Sequence, residues 1–165
     1  MLIEKGVNNM LKEKQLNDDV NKFKTSVICT QQEAKEKIER ICANNSVPVD
    51  IEYDTLNVGN FFNSRELDCL VISHPEHQRD YYKIVVVLGG VEVIMASTGT
   101  SKQMKKQAIA DANKQWRQGR SMSEKVGNVI GSAIWMIGKS KDKLAQEQAY
   151  YDALIEVIGV ALELE

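Results

Sequence analysis

Residues Tyr81-Tyr82-Lys83-Ile84-Val85-Val86-Val87-Leu88-Gly89-Gly90-Val91-Glu92-Val93-Ile94-Met95-Ala96-Ser97 read as two β-strands joined by a two-residue turn at Gly89 and Gly90. Glycine accepts the positive φ that a primed hairpin turn demands, and β-branched residues fit the pleated ladder on both sides. Ile84, Val86 and Leu88 share one face of the first strand, and Val85 and Val87 share the other. A strand apolar on both faces is covered twice. Helices later in the chain supply one cover. The second cover has to come from the N-terminal helix, a second subunit or a ligand, and a functional site is expected there.

Outward from the hairpin, Glu66 to Ser73 alternates in the same two-sided way, with Leu67, Cys69 and Val71 against Leu70 and Ile72. Val49, Ile51 and Tyr53 alternate with Asp50, Glu52 and Asp54, the mark of a half-buried strand with an acidic, wet face. The segment 57–64 reads as a loop around Phe61 and Phe62. Phe23 to Cys29 reads as a further strand. Between these strands Thr30-Gln31-Gln32-Glu33 forms a capping box, in which the Thr30 hydroxyl accepts from the Glu33 amide and the Glu33 carboxylate returns to the Thr30 amide. The helix that it starts runs to about Ala43, with Ala34, Ile38, Ile41 and Cys42 on its apolar side.

Ile3, Val7, Met10 and Leu11 recur at helical spacing and predict an amphipathic helix over 2–14. After Gly99 the pattern turns helical again: one helix to about Gln118, a second from the capping box Ser121-Met122-Ser123-Glu124 to about Ile137, and a third from Lys143 to about Leu162. Consecutive strands with helices gathered at the ends indicate an α+β fold. The expectation is a mostly antiparallel sheet of about five strands in β-α-β-β-β-β order. Residues 1–20 form the N-terminal helix and connector, 21–100 the sheet core, and 101–165 a C-terminal segment of two to three helices packed on that core, all within one domain.

With 43% hydrophobic and 27% charged residues in 165, the chain has the balance of a soluble globular protein. Its net charge of -2 exerts no global pull on nucleic acid or anionic lipid, so such a role would need a local patch. The cysteines, Cys29, Cys42 and Cys69, are odd in number and widely spaced, which points to free thiols in a reducing compartment. No secretory leader is evident. The longest apolar-rich run, 126–138, is thirteen residues, short of the roughly 20 that span a bilayer. A cytoplasmic protein without a transmembrane segment is expected.

Three groups of residues stand out chemically. His74 and His77 flank Pro75-Glu76 and could offer two imidazoles to a divalent metal. Residues 101–125 carry seven cations against two acids, with Lys102, Lys105, Lys106 and Arg117 as candidates for an anion or nucleic-acid surface. Gly127 and Gly131, with Trp135, allow close helix approach, and Phe61 and Phe62 cannot both face inward from one extended segment. These five are candidate interaction residues. No nucleophile elbow, phosphate loop or dinucleotide fingerprint is present, and no cofactor is implied. The composite expectation is a non-enzymatic binding or interaction protein that self-associates through its C-terminal helices. A metal-binding protein or metal-dependent enzyme and an anion or nucleic-acid binder are the alternatives.

Overall fold

The computed structural model describes residues 10–59, 65–104, 108–120 and 142–165. It has an α+β architecture. The strands are β1 (Leu11–Lys12), β2 (Asn21–Lys24), β3 (Asp50–Val58), β4 (Arg65–Ser73), β5 (Lys83–Gly89) and β6 (Glu92–Thr98), and the helices are α1 (Gln31–Asn44), α2 (Ala108–Arg120) and α3 (Lys143–Ala161). Among the described residues six strands form one sheet in the order β1-β3-β4-β5-β6-β2. Every pairing is antiparallel except that of β1 with β3. The sheet is therefore one strand larger than expected.

The meander β3 to β6 follows the expected alternation. Ile51, Leu70, Ile72, Ile84, Val86 and Met95 face the helices, in a core that α1, α2 and α3 complete. Leu56, Cys69, Val71, Val85 and Val87 form a second cluster on the opposite face. The β5–β6 turn sits one residue later than Gly89 and Gly90 would place it. Gly89 stays in the ladder opposite Glu92, and Gly90, with φ of 77°, and Val91 make the turn. A positive φ at the first central residue alone is the pattern of a type II′ turn. Strand β3 runs through Val58, into the segment expected to be loop, because Leu56 and Val58 belong to the second cluster.

The N-terminal region departs most from expectation. Over the described residues, 10–14 are not helical: β1 is followed by a single 3-10 turn, Glu13–Gln15. Leu11 and Leu16 pack on the second face of the sheet. A helix there would lift those side chains away from β3, so tertiary packing overrides local periodicity. Strand β2 ends at Lys24 rather than near Cys29. The Thr25 hydroxyl accepts from the Val27 amide and donates to the Leu162 carbonyl, which turns the chain out of the ladder.

Helix α1 begins as the capping box requires, with Glu33 N donating to Thr30 Oγ1 at 3.1 Å and Thr30 N donating to Glu33 Oε1 at 3.3 Å. Residues 101–104, expected to open helix α2, form a non-helical turn in which Ser101 Oγ accepts from the Gln103 and Met104 amides. Helix α3 is buried on nearly all sides, and Trp116 of α2 lies against its Gly159. Its C-terminus closes with Leu164 N donating to Gly159 O and Glu163 N to Val160 O, a Schellman motif. The chain then pairs with the outer edge of β2, where Glu165 N donates to Lys24 O at 2.8 Å. The expected helix over 121–137 lies outside the described residues.

Candidate functional site

The second face of the sheet is where the sequence left a cover unassigned. Residues 13–20 form a strap that leads from β1 at one sheet edge to β2 at the other, with Leu16 packed on that face. Leu16, only four residues after β1, already bridges Thr98 of β6; four residues reach about 14 Å, less than the roughly 20 Å that separates those strands in a flat sheet, so the sheet curls strongly. The strap is pinned to the end of β6. Asn17 N donates to Ser97 O at 2.8 Å. The buried Asp19 carboxylate accepts from Ser97 N at 2.9 Å and from Ser97 Oγ at 2.6 Å. Thr98 Oγ1 donates to Gln15 O. Burial raises the Asp19 pKa, against the lowering effect of the Ser97 hydrogen bonds.

The strap covers the sheet incompletely. Between the two lies a half-open groove of about 560 Å³. Leu56 and Val58 of β3, Leu67 of β4 and Ile94 of β6 contribute its sheet side, and Leu16 and Val20 contribute the strap side. Charges stand at its rim: Lys14, Lys22 and Arg65, and Glu13, Asp18 and Glu92. All six are exposed, and Glu13 accepts from the Gly59 amide. The volume falls within the range typical of small-molecule sites.

The two histidines do come together, as packed aromatic rings. The His74 and His77 centroids are 4.6 Å apart and edge-on, and His77 stacks on Tyr81 at 4.1 Å. His74 Nδ1 accepts from the Glu76 amide at 3.1 Å, which leaves the proton of the neutral ring on Nε2. Burial, and then the neighbouring His77, lower the His74 pKa and keep that ring neutral. His77 Nδ1 lies 3.1 Å from Asp80 Oδ2, leaving its Nε2 available. Among the described residues no three His, Cys, Asp or Glu side chains are grouped to hold a metal ion.

Below this cluster is a group that periodicity could not reveal. Glu147 of α3 is fully buried. It accepts from Tyr151 Oη at 2.6 Å and from Ser101 Oγ at 2.8 Å. Ser101 Oγ also receives two backbone amides. Its lone pairs are thus occupied, and it acts as a cap, not as a nucleophile. Nothing in the sequence singles it out, because the same helix also carries Lys143, Asp152 and Glu156.

Of the proposed cationic surface, Lys102 is exposed, outside α2. Arg117 is also exposed, with its guanidinium 4.1 Å from the Phe23 ring centroid and donating to the Lys22 carbonyl. Lys105, Lys106, Phe61, Phe62, Gly127, Gly131 and Trp135 lie outside the described residues.

The chain matches no protein-family model, no curated protein and no solved structure. No helix among the described residues is long and apolar enough to cross a membrane.

Proposed function

We propose that the chain is a non-enzymatic binding protein whose site is the groove between the strap and the second face of the sheet. The observation that carries this reading is the incomplete cover. Strands β4 and β5 are apolar on both faces, and the strap leaves part of the apolar surface open beside Leu67 and Ile94. Such an aliphatic concavity with charges confined to its rim suits a ligand with an apolar body. Its wall is fixed, since Asp19 and Asn17 anchor the strap to β6, so little ordering cost falls on binding.

Titration with the neutral, environment-sensitive dye Nile red tests the reading. Saturable fluorescence enhancement is expected for the wild type and its loss in Leu67→Asp and Ile94→Asp, with circular dichroism confirming that both variants fold. An unresponsive wild type, or unaltered binding in both folded variants, contradicts it.

One observation favours the metal alternative. Asp80 stands behind His77 Nδ1, the arrangement that orients a ligating imidazole. Zinc titration of wild type and His77→Ala decides it: equal uptake by the two proteins excludes His77 as a ligand.

A further inference from the structure

We infer that the groove takes a linear aliphatic carboxylate, its chain along the sheet and its head at Arg65. This rests on the groove being the binding site. Three features choose the chemistry.

Among the described residues the lining offers no aromatic ring. Its leucine, isoleucine and valine surfaces fit a flexible methylene chain better than a planar heterocycle or nucleobase, which favours an aromatic partner. Polar groups inside the groove are already used. Asn17 Nδ2 donates to Ser97 Oγ and to the Gly99 carbonyl, and the backbone of the flooring strands is paired in the ladders. A ligand with many hydrogen-bonding groups along its body would lose water without replacement.

The charge distribution at the rim then separates the two ends. On β4, Arg65 alternates with Leu67 and Cys69 and so lies on the groove face, and its cross-strand neighbour is the apolar Val58. Lys14 stands at the same rim. The nearby acid, Glu13, accepts from the Gly59 amide. At the β6–β2 end, by contrast, Glu92 sits directly across from Lys24, with Lys22 next along β2. With Asp18 of the strap, two acids meet two bases there, whereas among the described residues Arg65 and Lys14 face Glu13 alone, so the excess of positive charge is at the Arg65 end. The planar fork of Arg65 matches a carboxylate in bidentate geometry.

The test is calorimetric titration with dodecanoate and with dodecanol, the same chain without the charge, both below their aggregation limits. Wild type, Arg65→Gln and Lys24→Gln are compared. The wild type is expected to bind the carboxylate about tenfold tighter than the alcohol. That ratio should collapse toward one in Arg65→Gln and persist in Lys24→Gln, a change outside the groove. Equal affinities in the wild type, or a ratio untouched by Arg65→Gln, overturn the assignment of the head group while leaving the groove as an apolar site. Failure of both ligands to bind the wild type overturns the groove reading with it.

Discussion

Tyr151 Oη donates a 2.6 Å hydrogen bond to Glu147 Oε2, one turn back along the same helix, and Ser101 Oγ donates to the other carboxylate oxygen at 2.8 Å. A buried acid thus ties α3 to the segment that follows β6. Burial raises the Glu147 pKa, and the two hydroxyl donors lower it. Asp80 pushes it further up and His77 pulls it down. Tyr151 in turn is raised, mainly by burial and by this partner.

The linkage has a definite sign. Folded Glu147 holds its proton more readily than the unfolded chain does. Its contribution to stability is therefore fully present below the ordinary glutamate pKa and is lost as pH rises through the raised folded value. Glu147→Gln has no such titration. The stability of Glu147→Gln relative to wild type should be constant in acid and shift in favour of glutamine toward neutral pH. Urea denaturation of both proteins across that range measures it. A difference that stays flat, or shifts toward glutamate, contradicts the account.

Gly159 should resist alanine. In an ordinary helix interior the change gains about 1 kcal/mol. Here an added Cβ would fall inside van der Waals contact with the Trp116 indole, and overpacking of this kind costs about 1–3 kcal/mol. Gly159→Ala should lower the thermal midpoint, and Trp116→Phe in the same chain should recover part of the loss, so that the two changes are non-additive. Additive losses would show that the ring and the glycine do not limit each other.

Glu163 has a φ of 50° at the end of α3, a conformation that glycine adopts without strain. Glu163→Gly should stabilise the protein by up to ~1 kcal/mol, measurable as a raised denaturation midpoint. A lowered midpoint would mean that the Schellman closure over Gly159 and Val160 depends on the Glu163 side chain.

The meander from β3 to β6 was legible because its alternation is two-sided. Leu70 and Ile72 against Cys69 and Val71 on β4 state both faces of the sheet at once, and the helices and the strap account for both. The Thr30–Glu33 cap was legible for the same local reason. The N-terminal strap was not. Met10 and Leu11 fit a helical period, and nothing local records that Leu11 pairs with Leu56, far along the chain. The groove was legible only as a missing cover on β5. Its lining comes from the strap, β3, β4 and β6, and only topology brings those segments together. The Glu147 network escaped because one charged residue among several in a helix carries no sign of burial, and its partner Ser101 lies 46 residues away.

The second face of the sheet, under the strap, is the proposed binding site. Methyl-resolved NMR during titration with dodecanoate tests it most directly. The account predicts saturable shifts for the methyl groups of Leu16, Leu56, Leu67 and Ile94, with those of Ile38, Ile72 and Leu154 in the helix-covered core left in place. Shifts confined to the core, or no shifts at any of these methyl groups at saturating ligand, would contradict it.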